Sequence, residues 1–373
     1  KSHGKIGIAA VIILGLLGIA LWSCGGAGTG SGGGGGGRPT PNPISIAVDN
    51  TGKFVYVANS TSDDVSAFKI NLVGPGAGTL TSAGSPVAAG TFTSSIAVHP
   101  TGKFVYTTNF GSSNVSAYSI DLVSGAITTP VSGSPFTVGN GPISIAIDPL
   151  GRFAFVANEV SHNVSAYTIS AAGALIHTGT DRGAGLDPRS IAVDPTGKFV
   201  YVANYNPGNV YAYEIDQGSG ALNPVTGSPF TAGLGSTSIA VDPLGKFVYV
   251  GNEGDHSVSG YSINSLTGVL SPLGPVVTGS LLTAPTSIAV DITGKFAYVT
   301  DRGIDEVLAY MIDRVTGALD NQVQTATGAD PFSVAISPTN RYVYVANNGS
   351  ANVSAYSFDA SGFLTSLGTV AAR

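Results

Sequence analysis

The chain has 373 residues, a formal net charge of −6, 10% charged residues, 52 glycines and one cysteine. With no basic run beyond the extreme N-terminus, a nucleic-acid partner is excluded, because such a partner needs clustered Lys and Arg to displace counterions from phosphates. The lone Cys24 excludes an intrachain disulfide and a cysteine-based zinc site, and neither a metal nor a cofactor is expected.

In chain order, Lys1 and Lys5 lead into an apolar run over residues 6–21, followed by Leu21-Trp22-Ser23-Cys24-Gly25. The segment resembles a bacterial lipoprotein signal, in which the cysteine is lipidated and becomes the new N-terminus, although Trp22 stands where a small residue is usual. The alternative is an uncleaved anchor, since the run is at the short end of a membrane-spanning helix. Either reading puts residues 1–24 at a membrane and the rest outside the cytoplasm. Gly25 lacks the aspartate that marks inner-membrane retention in some bacteria, which points to the outer membrane or cell surface. Residues 25–42 are Gly/Ser-rich and then Pro-rich, and read as a flexible linker of roughly 25 Å mean reach. Within it Gly28-Thr29-Gly30-Ser31-Gly32-Gly33 matches a dinucleotide-binding pattern, but no strand–turn–helix context surrounds it.

From residue 43 onward one phrase is written seven times: Ser-Ile-Ala-Val-Asp, a Gly turn, Lys-Phe-Val-Tyr-Val-Ala-Asn, a polar loop, and Val-Ser-Ala-Tyr-Ser-Ile. Its first serine falls at 45, 95, 144, 190, 238, 287 and 333, so the spacings are 50, 49, 46, 48, 49 and 46. A period in the forties holding only strand-like runs predicts an all-β, seven-bladed β-propeller of four-stranded antiparallel blades. The blades are expected at about 43–91, 92–140, 141–186, 187–234, 235–283, 284–329 and 330–371. The second strand of each is almost continuously apolar, as a sheet covered on both faces by neighbouring blades requires. Gly at 52, 102, 151, 197, 245 and 294 predicts a positive φ in the turn between the first two strands. Asn340, which tolerates that conformation best after Gly, takes the place in the seventh copy.

The segments Tyr56-Val57-Ala58-Asn59, Tyr201-Val202-Ala203-Asn204 and Tyr298-Val299-Thr300-Asp301 resemble the YVTN-type repeat of the propeller lactonase family, over about residues 43–370. The resemblance implies the propeller fold and, where there is catalysis, lactone hydrolysis on one face of the ring. The repeating residues build the blades, so no catalytic motif of the family transfers to a position here.

In an up-and-down blade the first-to-second and third-to-fourth turns share one end, the turn face. The second-to-third loops and the blade connections share the other, the loop face. The turn face repeats a cation after each turn: Lys53, Lys103, Arg152, Lys198, Lys246, Lys295 and Arg341, most near an aspartate. These read as solvated turn residues with weak local ion pairs. The loop face is irregular, and irregularity within a repeat is where function is expected. After the second strand stand Ser60, Phe110, Glu159, Tyr205, Glu253, Arg302 and Asn348. Before the repeated serine, Arg189 is the one ionic residue.

Two functional expectations follow. The first is a membrane-tethered extracytoplasmic platform that binds a protein, a glycan or an envelope component through loop-face groups such as Phe110, Tyr205, Arg302 and Arg182. The second is a lactonase with Glu159, Arg189, Glu253 and Arg302 at the mouth of the central channel. There the arginines would hold an anionic lactone, and a carboxylate or one of His162 and His256 would move the proton.

Overall fold

In the computed structural model, which describes residues 40–274 and 282–372, every regular element is a strand. Each repeat folds into one antiparallel sheet of consecutive strands; in the first blade these are Pro43–Val48, Phe54–Asn59, Asp64–Ile70 and Leu80–Ser82. Seven such sheets make the predicted propeller. In the first four blades a two-residue strand, Val87–Ala88 in blade 1, pairs with the third strand as well, because the outer strand is interrupted; in blade 1 the break falls at Gly84-Ser85-Pro86. Blades 6 and 7 keep unbroken outer strands, Leu319–Ala326 and Leu364–Ala371. The apolar leader, Cys24 and most of the linker lie outside the described residues. Among the described residues no helix is long and apolar enough to cross a membrane.

The second strand is buried along its whole length, as in Phe54–Asn59 and Tyr342–Asn347. Its neighbours explain why. Each apolar cluster draws on two adjacent blades: Tyr201 and Val210 of blade 4 pack with Ile239 and Val250 of blade 5. Likewise Ile46 and Val57 of blade 1 pack with Tyr344 and Val353 of blade 7. The core is therefore a ring of blade seams.

Turn geometry follows the residues that dictate it. The six turn glycines have φ between 65° and 72°, and Asn340 has 56°. Just upstream, Asp49 Oδ1 accepts the backbone N–H groups of Lys53 and Phe54, both at 2.8 Å. Asp148, Asp194, Asp242 and Asp291 clamp their turns in the same way. The expected ion pairs are thus mostly replaced: these carboxylates serve buried backbone amides, and Arg152 alone of the seven turn cations is seen paired, to Asp148 at 3.0 Å.

Two polar rings bind the seams. The repeated serine accepts the N–H of the residue after the next blade's serine, from Ser45 with Ile96 to Ser333 with Ile46, at 3.1–3.4 Å. The second-strand tyrosine donates to a glycine carbonyl in the next blade's outer turn, from Tyr56 to Gly125 through Tyr344 to Gly78, at 2.8–3.1 Å. Burial pushes these phenols well above the usual range, so they remain donors. Both rings run through the junction of blades 7 and 1. Each has one gap: Phe155 replaces the tyrosine in blade 3, and the Ser238 hydroxyl is buried without a hydrogen-bond partner in blade 5.

Candidate active site on the loop face

Topology places the second-to-third loops and blade connections at one end of the ring, and the expected charged residues gather there as pairs that span seams. Glu159 leaves the second strand of blade 3, Phe153–Asn158. Arg189 lies in the first strand of blade 4, Leu186–Val193. Arg189 Nη2 meets Glu159 Oε1 at 3.0 Å, with each side chain 17% exposed. The guanidinium also lies over the Tyr205 ring, 5.2 Å from its centroid, a stacking that arginine favours. Burial raises the proton affinity of Glu159 above that of an ordinary glutamate. Arg189 opposes that shift, and the carboxylate of Asp187 adds to it. A second pair, Glu253 with Arg302, joins blade 5 to blade 6, and Glu253 Oε2 is buried without a hydrogen-bond partner. The Asp330 carboxyl of blade 7 is pushed up by burial, with Arg302 opposing. The four residues expected at one mouth therefore form two pairs along the arc of blades 3–6.

The remaining expected residues take other places. His162 and His256 occupy the left-handed corner of their loops, with φ of 53° and 52°, where blades 1 and 6 carry Asp63 and Asp305. Those aspartates accept the N–H of Phe92 and Asp330, at 2.7 and 2.8 Å. His162 Nδ1 does the same for Asp187 at 3.2 Å. A neutral ring that accepts this bond at Nδ1 carries its proton on Nε2. Arg182 donates Nε to the Leu222 carbonyl at 2.8 Å, which makes it a staple between the outer strands of blades 3 and 4. Phe110 is half-buried, near Val160 where the chain passes Gly141.

Sequence reasoning missed Phe92, which is 57% exposed at the same end of the ring, together with the exposed Val160, Leu186 and Leu234. Phe92, Asp187 and Asp330 share a positive φ with Gly141 and Gly235 at the corner where the chain enters the first strand. The glycines at that aligned position were the available signal. Asp301 takes the place of the second-strand asparagine and accepts N–H groups from Thr283, Ala284 and Gly303 at 2.6–2.9 Å, so its charge is structurally engaged. Two grooves, of about 220 and 540 Å³, lie instead between blades 6 and 7 around Phe296. The smaller is lined by Lys295 and Asp359, but Asp359 caps the backbone N–H groups of Ser361 and Phe363, so the paired carboxylates of the loop face remain the better candidate.

Family models describe the same ring: residues 39–133, 128–229 and 227–372 each match the model of lactonase, 7-bladed beta-propeller. The chain belongs to that lactonase family. No curated protein matches it in sequence. Among solved structures, a candidate 6-phosphogluconolactonase of Bacteroides fragilis is similar over 89% of this chain and 96% of its own, at 21% identity and a TM-score of 0.72. The periplasmic gluconolactonase of Pseudomonas aeruginosa is similar over 85% and 95%, at 19% identity and 0.72. Hydrazine synthase of Kuenenia stuttgartiensis is similar over 88% and 99%, at 21% identity and 0.66. At such identities the likeness establishes the ring, which hosts unrelated chemistries; family membership itself weighs toward lactone hydrolysis over a display platform.

Proposed function

We propose that this protein is a lactonase that opens a small lactone with water at the loop-face end of the seam between blades 3 and 4. The observation that carries the reading is the Glu159–Arg189 pair. It joins a largely buried carboxylate of raised proton affinity to a guanidinium, and so sets a base beside an oxyanion stabiliser. Water adds its oxygen to the lactone carbonyl carbon while Glu159 takes the proton. Arg189 stabilises the negative charge on the carbonyl oxygen. The ring C–O bond then breaks, and the leaving oxygen takes the proton from Glu159 to become a hydroxyl. The product is an open-chain hydroxy acid. Glu253 and Arg302 would bind the substrate's hydroxyl groups. A histidine carrying the proton onward would use Nε2, since Nδ1 of His162 is engaged.

A screen of γ- and δ-lactones on the domain from Arg38 onward tests this. Arg189→Ala and Glu159→Gln should each lower kcat/KM by about 10²-fold or more, and Glu253→Gln should chiefly raise KM. Failure to open any lactone, or full activity in both blade 3–4 variants, would sink the reading. The platform would then be preferred, with Phe92, Val160, Leu186 and Leu234 as its apolar anchors. A lipidated Cys24, or an uncleaved leader, would hold the enzyme at a membrane outside the cytoplasm; labelling with a radioactive fatty acid, lost in Cys24→Ala, distinguishes the two.

A further inference from the structure

We infer that the loop face selects lactones that carry no charge and drives out the carboxylate they become. The inference rests on the lactonase reading and specifies its substrate class. It comes from sorting the charged side chains of the described residues by the end of the blade on which the strand order places them. The loop face holds eight aspartates and three glutamates against three arginines, a formal −8. The turn face holds eleven carboxylates against nine cations, a formal −2. Most of the excess negative charge of the described residues therefore lies on the face that carries the candidate site.

The arginines do not offset it for an incoming ligand. Arg189 lies against Glu159 and Arg302 against Glu253, while Arg182 is spent on a backbone carbonyl at the outer seam. Two arginines expected to hold an anion are already neutralised by carboxylates of their own. A phosphate group would displace a glutamate from its guanidinium while entering a field of its own sign. An uncharged lactone meets no such barrier, and its hydroxyls suit a lining of carboxylate acceptors and guanidinium donors. The reaction then converts a neutral ligand into an anion. The field that ignored the substrate repels the product, so the acidic mouth favours release.

Kinetics with an aldono-δ-lactone and its terminally phosphorylated form, in low and high salt, test the inference. At about 10 mM ionic strength the neutral lactone should be preferred in kcat/KM by about tenfold or more. The ratio should shrink toward one at about 0.3 M, where the screening length falls to several Å. Inhibition by the aldonate product should strengthen as salt rises. Asp255→Asn with Asp305→Asn keeps both backbone-capping oxygens, to Leu234 and Asp330, and removes two rim charges; it should narrow the low-salt preference. Preference for the phosphorylated lactone, or a ratio indifferent to salt and to these charges, overturns the inference while leaving the lactonase reading intact. If neither of these two is opened, the wider lactone screen decides the lactonase reading. Calorimetric binding then judges the charge selection: a phosphorylated aldonate bound more tightly at low salt than a neutral polyol overturns it, and the reverse order supports it.

Discussion

Single residues carry the chemistry of the loop face, and Glu159 is the one whose ionisation the fold alters. Its carboxyl is raised above 4.5 by burial. A group raised on folding adds stability that is complete below the unfolded value and is lost as pH climbs through the folded one. Denaturant titrations of the parent and Glu159→Gln should therefore show the parent's relative stability falling as pH rises from 4 to 7. If Glu159 is the base, the acid limb of the kcat/KM profile should lie above the ordinary carboxylate range and vanish in the variant. Gly251 offers a test unconnected with catalysis. It stands mid-strand where blades 1, 3, 4 and 7 have Ala, and a Cβ there would come within 2.8 Å of the Ser238 hydroxyl. That hydroxyl can rotate toward the seam, where six sister serines accept a backbone N–H. Gly251→Ala should stabilise the domain by about 0.5–1 kcal/mol, read as a higher Tm.

Strands and turns were legible because their causes are local. Doubly covered second strands, glycine at a positive φ and the aspartate before each turn follow from residue type and spacing. Cross-seam partnerships were not. Glu159 and Arg189 are thirty positions apart, and their meeting depends on how far one blade's loop overhangs the next blade's first strand. His162 read as a titratable group in a loop; that it replaces an aspartate at a left-handed corner emerges once the backbone is known. The tyrosine ring gives the element-scale prediction. Phe155 is fully buried at the position where six blades send a phenol to a neighbouring glycine carbonyl, and Gly220 is its counterpart here. Phe155→Tyr should complete the ring and add about 1 kcal/mol, the usual net worth of one hydrogen bond. A lower melting temperature would mean that the new hydroxyl found no acceptor.

At the scale of the whole molecule, stability depends on a closed circle. Blade 7 is a complete sheet whose outer strand, Leu364–Ala371, pairs with Asn352–Phe358. Deleting residues 363–373 should strip that sheet's rim and lower the melting temperature of the entire ring cooperatively, because an opened seam exposes two apolar faces. A truncation that melts like the parent would show that the last seam contributes nothing.

Among the described residues every blade is made of strands contiguous in sequence, and no strand from the first blade completes the sheet of the last. The junction between last and first blades is consequently held by the same serine and tyrosine contacts as the rest, with only the covalent link left out. Which blade connection is cut is thus immaterial to the closure of the ring. Joining residue 372 to residue 43 through a short spacer and cutting the chain in another blade connection should give a circular permutant with the same ring, the same mouth and the same chemistry.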